Sequence, residues 1–336
     1  MSSSRVEKIV YYLPERILTN EELAGLYPGW TADKIFDKTG IRTRHVSADG
    51  ETAGDLAEQA AKQLFSEYGI DPLSINFILL ATQSPDYFLP TTACMLQSRL
   101  GIPTTAGALD FNLGCSGFVY GLAVAKGLIA SGVASKILFI TADTYSKYVH
   151  PMDKSARTIF GDGAAATLIG ASDAENIGQF VLGTDGRGYD KLIVPAGGMR
   201  LACSDSTSAE QTDESGNIRS QNNLFMDGME IFNFTITTVP KTVKEALEKN
   251  GVTLEGIDLF VFHQANKYML DFLCKKCKIP AEKFYMNFAD CGNTVSASIP
   301  IALARAVQDG TLKPGMKVML VGFGVGLSWG ATIITW

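Results

Sequence analysis

Three residues of this chain are of types that together can carry and extend acyl groups. Cys115 sits in Asp110-Phe-Asn-Leu-Gly-Cys-Ser-Gly-Phe118, where glycines flank a thiol between a strand-like stretch and a helix of small residues. At a helix start, aligned N–H groups favour the thiolate, the nucleophilic form of cysteine. His263, in Phe262-His-Gln-Ala-Asn266, directly follows an apolar strand pattern and is one of three histidines. A neutral imidazole there can donate a hydrogen bond to a developing oxyanion. Asn293, in Cys291-Gly-Asn-Thr-Val-Ser-Ala-Ser298, is an uncharged donor suited to an enolate. Each has a plainer alternative: a buried cysteine is usually a small hydrophobe, a histidine can close a strand, and an asparagine tolerates tight turns. It is the combination that points to chemistry.

The elements that position these residues follow from periodicity. Apolar runs at 75–82, 136–141, 257–262 and 317–322 read as strands buried on both faces, separated by amphipathic helical patterns, so the fold class is α/β. Residues 62–83 lie without gaps over residues 244–265, an offset of 182, and both copies read helix, Gly-containing turn, strand. Gly114-Cys115 then matches Gly292-Asn293 at an offset of 178. Two halves, 1–178 carrying the cysteine and 179–336 carrying His263 and Asn293, would bring all three groups to a shared centre. Between them, 196–223 is rich in Ser, Asp, Gln and Asn, and is expected to be an exposed, mobile excursion. Gly322-Phe-Gly-Val-Gly-Leu-Ser-Trp-Gly330 lacks the P-loop lysine and the dinucleotide fingerprint; its glycines are expected to let backbone approach a ligand. Cys274-Lys-Lys-Cys277 has no second Cys/His pair at metal-ligand spacing and reads as a solvated helix face rather than a metal or redox site.

Composition narrows the rest. With 336 residues, 46% hydrophobic and 19% charged, the chain can bury a large core. A net charge of -6 argues against nucleic acid, and no apolar run reaches the roughly 20 residues that span a bilayer. The expectation is a soluble, cytoplasmic protein with free thiols and no membrane contact.

The motifs Thr39-Gly-Ile-Arg-Thr-Arg-His45, Gly-Cys-Ser-Gly-Phe118, Phe160-Gly-Asp-Gly-Ala164, His263-Gln-Ala-Asn266, Gly292-Asn-Thr294 and Gly322-Phe-Gly324 resemble the β-ketoacyl-acyl carrier protein synthase III family of the thiolase superfamily, over residues 6–336. The resemblance implies a thiolase-like five-layered αβαβα fold from two duplicated halves, and a homodimer. It implies a ping-pong reaction in which Cys115 accepts an acyl group from acyl-coenzyme A or an acyl carrier, then a decarboxylative Claisen condensation with malonyl-acyl carrier protein. Thioesters of coenzyme A or carrier would be substrates, with no cofactor and no metal.

The same resemblance assigns the enolate to His263 and Asn293, and the thioester oxyanion to the backbone N–H groups of Cys115 and Val325. Phe323 would shield the cysteine, and Leu89 would close the acyl pocket of the partner subunit. Lys34, Lys38 and Arg157 fall at substrate-binding positions, and Lys267, Lys275 and Lys276 at the carrier-docking face. Two departures stand out: Lys34 replaces a tryptophan that several members stack on adenine, and Tyr268 replaces a docking arginine. The alternative is a same-fold acyltransferase forming an ester or amide in a secondary-metabolite or surface-polysaccharide pathway.

Overall fold

The structure is a computed structural model and describes residues 3–336. The first sheet contains β1 (Ser3–Tyr12), β2 (Phe77–Ala81), β3 (Gly107–Phe111), β4 (Lys136–Asp143) and β5 (Gly163–Ser172), in the order β1-β5-β4-β2-β3. Strands β3, β2 and β4 run parallel, and β5 and β1 add antiparallel. The second sheet contains β6 (Val181–Thr184), β7 (Leu259–Phe262), β8 (Lys317–Gly324) and β9 (Ser328–Thr335), in the order β7-β8-β9-β6. Here β7 and β8 are parallel, the other pairs antiparallel. The four apolar runs of the sequence thus become β2, β4, β7 and β8, almost wholly buried, as strands covered on both faces must be.

Six helices matter for the site: α1 (Ala32–Thr39), α2 (Ala53–Tyr68), α3 (Gly117–Ala130), α4 (Gly228–Asn250), α5 (Lys267–Lys276) and α6 (Ser298–Gln308). Helices α3 and α6 lie between the sheets and touch strands of both. Helix α2 covers the outer face of the first sheet, and α4, with α5 against it, covers the second. The result is five layers, αβαβα. Small residues let α3 fit between two sheets: a Cβ on Gly121 would sit 2.1 Å from the Phe139 ring.

The internal repeat has a physical counterpart. The end of α2, Gly69 and β2 mirror the end of α4, Gly251 and β7, and both glycines cap their helix in the left-handed conformation at φ 62. The equivalent strands β2 and β7 each pair in parallel with the next strand of their half, β4 and β8.

The excursion differs from its expectation. Much of 196–223 is exposed, yet Thr207 and Asn217 are buried, and the short strands Gln211–Thr212 and Ile218–Arg219 pair antiparallel. Arg219 donates to the buried Asp153 carboxylate at 2.9 Å and lies over the Phe225 ring. Asp153 also caps the short helix Lys154–Arg157. The segment is polar because it satisfies itself through turns and ion pairs, and it is tied to the body through a carboxylate that sequence spacing does not reveal.

Gly322 of β8 packs directly on the turn before α3, where an added Cβ would lie 2.8 Å from both the Cys115 carbonyl oxygen and Ser116 Cα. Backbone cannot swing aside as a side-chain tip can. Gly322→Ala should cost about 1–3 kcal/mol of stability by overpacking, read as a lower denaturant midpoint at unchanged slope.

Candidate active site

Cys115 follows the turn after β3 and immediately precedes α3; it is buried. The segment after β8 crosses directly above it. A Cβ on Gly324 would stand 2.9 Å from Cys115 Cβ and 3.0 Å from Sγ, so only glycine leaves room for the thiol. The glycine-rich stretch therefore serves a close approach to the nucleophile's own turn rather than to a ligand alone. Its path aims the Val325 N–H at the sulfur, alongside the N–H of Cys115 itself. The resemblance assigns these same two backbone donors to an oxyanion hole. Ser116 and Ser328 Oγ, 2.7 Å apart, pin the two segments together.

His263 ends β7 and is held from both sides. Its N–H donates to the Val321 carbonyl at 2.8 Å, and its Nδ1 lies 2.7 Å from Ser298 Oγ at the start of α6. Burial drives its pKa down to about 3, so the imidazole is neutral and carries one proton. In the tautomer in which the Ser298 hydroxyl donates to Nδ1, the ring proton is on Nε2, the nitrogen that faces Asn293. The ring packs edge-to-face on Phe323 at 5.5 Å between centroids.

Asn293 occupies the turn before α6 and is also buried. Its Oδ1 accepts the Val295 N–H at 2.9 Å, which orients Nδ2 towards His263 Nε2 at 3.4 Å. Val295 reaches that donor position with φ +53, a left-handed conformation that a β-branched residue rarely adopts. In that tautomer two N–H donors stand side by side, free to share one acceptor oxygen. His263 packs on Phe323, whose neighbour Gly324 lies against Cys115, and Asn293 lies against His263, so a chain of contacts joins the three side chains.

The thiolate expectation is corrected. Burial, with the nearby Asp143 carboxylate, pushes the Cys115 thiol up to about 12, against the opposing pull of the two N–H groups. Desolvation outweighs the helix start because a buried anion loses its hydration, whereas two donors restore only part of it. The resting nucleophile is a thiol. Asp143, fully buried at the end of β4, accepts from Gln83 N at 2.7 Å and from Ser296 N at 3.2 Å, and its Oδ2 also takes the Ser296 hydroxyl. It links turns of both sheets, and burial raises its own pKa to about 7.

Beside Val325 opens a cavity of about 840 Å³. One wall is Gln83, Asn112, Tyr145 and Tyr148; another includes Leu192 and Leu224. Phe323, expected to shield the cysteine, meets the His263 ring edge-to-face. Leu89 does not line this chain's own cavity and is 82% exposed, next to exposed Tyr87 and Phe88. Lys34 and Lys38 are exposed on α1, with their ammonium groups over the Trp30 ring at 5.2 and 5.7 Å. An aromatic face is thus present one turn upstream of the position expected, covered by the protein's own cations. Arg157 is partly buried, with its guanidinium donating to the Ser146 carbonyl at 3.4 Å. Lys267, Lys275 and Lys276 are exposed at the two ends of α5, which packs against α1. The Lys267 stem lies on Gly40, where a Cβ would approach it to 2.5 Å. Cys274 and Cys277 are half-buried rather than solvated, because the helix turns both thiols towards the core.

Sequence reasoning missed Ser298, Val295, Asp143 and the polar wall. Ser298 was at hand, closing the quoted Asn293 segment at a helix start, but nothing in the sequence pairs it with a histidine 35 residues upstream.

Comparison with known proteins gives one answer. Family models described as 3-oxoacyl-[acyl-carrier-protein] synthase III match residues 109–186, and its C-terminal model matches residues 247–336. The β-ketoacyl-[acyl-carrier-protein] synthase III of Caldanaerobacter subterraneus is 36% identical, covering 97% of this chain and 95% of that one. The Lactococcus lactis protein of the same name is 38% identical, covering 99% of each. A crystal structure of a 3-oxoacyl-(acyl-carrier-protein) synthase III superposes with a TM-score of 0.98 at 52% identity, covering 99% of this chain and 100% of that one. The priming β-ketosynthase of the R1128 polyketide pathway superposes at 0.87 with 30% identity, covering 99% and 96%. With its five-layered thiolase-like fold, the chain belongs to the 3-oxoacyl-[acyl-carrier-protein] synthase III family.

Proposed function

We propose that this protein is a condensing acyltransferase that loads an acyl group on Cys115 and lengthens it with malonyl-acyl carrier protein. The observation that carries the reading is the pair of neutral donors, Asn293 Nδ2 and His263 Nε2, 3.4 Å apart in a buried site beside the thiol. Cys115 sulfur attacks the carbonyl of an acyl thioester from coenzyme A or a carrier. The donor thiol leaves with the cysteine proton, and the N–H groups of Cys115 and Val325 hold the tetrahedral oxyanion.

The malonyl thioester then binds with its carbonyl oxygen between Asn293 and His263. Loss of its carboxylate as carbon dioxide leaves the electron pair on the α-carbon and the charge on that oxygen. Uncharged donors stabilise the charge without protonating the carbon, and the dry surroundings strengthen both hydrogen bonds. The carbon attacks the Cys115 thioester, a carbon–carbon bond forms, and the cysteine sulfur is released to recover a proton. Phe323 and the buried ring stack keep water from the thioester.

Acidic carrier protein would dock over α5 and α1, where Lys267, Lys275, Lys276, Lys34 and Lys38 form a basic face. Lys34, Lys38 and Arg157 would meet the nucleotide end of coenzyme A. A homodimer is supported by the free edge of β3, whose Leu109 is exposed, and by the consecutive exposed residues Tyr87, Phe88 and Leu89. Leu89 would then reach the partner's cavity.

Cys115→Ser should abolish both half-reactions. His263→Ala and Asn293→Ala should still form the acyl adduct by intact mass while losing at least about 10²-fold in carbon dioxide release from malonyl carrier. Wild-type release in either variant would overturn the assignment, and an adduct discharged onto an amine or hydroxyl without carbon dioxide would favour ester or amide formation.

Because the resting nucleophile is a protonated thiol with a raised pKa, its anionic fraction should grow about tenfold per pH unit across the neutral range. Iodoacetamide labelling of Cys115 should rise steadily from pH 6 to 9; a plateau within that range would show a lowered pKa instead. Leu89→Asp should shift the dimer towards monomer in light scattering and slow acylation together.

A further inference from the structure

The cavity beside Cys115 has a wall of hydrogen-bonding groups where an alkyl chain would need hydrocarbon. Tyr145 donates its hydroxyl to Gln83 Oε1, and Tyr148 donates to the Gln83 carbonyl at 3.0 Å. Gln83 Nε2 in turn donates one hydrogen to Asn112 Oδ1 at 2.9 Å. Among the described residues no partner takes the second Gln83 N–H or either hydrogen of the Asn112 amide. Both phenol oxygens also keep lone pairs free to accept. All four side chains line the cavity.

This wall is next to the nucleophile. A Cβ on Gly114, the residue before Cys115, would stand 2.3 Å from Gln83 Oε1 and 2.9 Å from the Val325 side chain. Val325 supplies an N–H to the sulfur, so the carboxamide stands level with the first carbons of an acyl group on Cys115. Leu192 and Leu224 face it with apolar surface.

Charge narrows the ligand. Among the described residues, neither lysine nor arginine lines the cavity, whereas Asp86 does and Asp143 lies behind Gln83. A carboxylate on the acyl chain would meet negative charge and no cation, while a neutral hydroxyl would find donors and acceptors at once.

We propose that the primer acyl group carries a neutral oxygen, a hydroxyl or carbonyl, within its first few carbons, and that Gln83 and Asn112 select for it. The proposal rests on Cys115 being the acyl acceptor. An unsubstituted chain of the same length would cover the free Gln83 and Asn112 donors with methylene and leave them unpaired, a penalty that hydrogen-bonding sites use to reject analogues.

The test compares butyryl, 3-hydroxybutyryl and succinyl thioesters of coenzyme A and of N-acetylcysteamine, with the rate of Cys115 adduct formation read by intact mass. In the wild-type enzyme 3-hydroxybutyryl should acylate about tenfold faster than butyryl, with succinyl slowest. Gln83→Leu should bring the hydroxybutyryl-to-butyryl ratio towards one, and the exposed Asn112→Ala should lower it in the same sense with the melting temperature retained. Equal or faster butyryl loading, fastest succinyl loading, or a ratio unmoved in both variants would overturn this proposal alone. Absence of any adduct from all donors would overturn it together with the acyl-acceptor role of Cys115.

Discussion

Asn293 Nδ2 and His263 Nε2 lie 3.4 Å apart, and the site is built around holding that pair in place. Each donor is fixed from behind by a partner that consumes its other valence: Ser298 on His263 Nδ1, the Val295 amide on Asn293 Oδ1. What remains, with the imidazole proton on Nε2, is a pair of N–H groups on two buried side chains, placed to share one oxygen. A neutral carbonyl fills that place adequately and an enolate oxygen fills it better, so the arrangement favours the charged state that forms during reaction over the uncharged one that precedes it. The left-handed Val295 is the conformational cost of holding the amide that way round.

Neutrality runs through the rest of the site. Burial keeps His263 uncharged and Cys115 protonated, and places no permanent cation against the thiol. A cationic imidazole would protonate the nascent carbanion equivalent; a neutral one only steadies the oxygen. The buried Asp143 binds the turn after β2 to the turn carrying Ser296. Its charge acts against thiolate formation, while its hydrogen bonds fix the relative position of the two sheets.

The parts of this arrangement that the sequence revealed are those set by strong local rules. Doubly buried strands leave unbroken apolar runs, left-handed caps demand glycine at 69 and 251, and the recurrence of both exposed the duplicated architecture. Cys115, His263 and Asn293 followed because each sits at a strand or helix end with glycines or turn residues around it. Ser298 and Val295 did not, since pairing across the fold leaves no local mark and a valine gives no warning of positive φ. The hydroxyl partners of Tyr145 and Tyr148 left no mark either, being set by the position of Gln83. The charge state of Cys115 was misread because a helix start is visible in sequence and the depth of burial is not. Exposure of 196–223 was legible from its polarity; its anchorage through Arg219 to Asp153 was not.

That anchorage has an evolutionary corollary. The excursion supplies Ala196, Gly197 and Gly198 to the rim of the cavity, yet its own buried contacts are Thr207, Asn217 and the Arg219 ion pairs, away from the nucleophile turn. A self-braced surface segment tolerates lengthening and exchange at small entropic expense. This stretch of the cavity rim is therefore a replaceable part, able to change in length and polarity without moving the turn that carries Cys115.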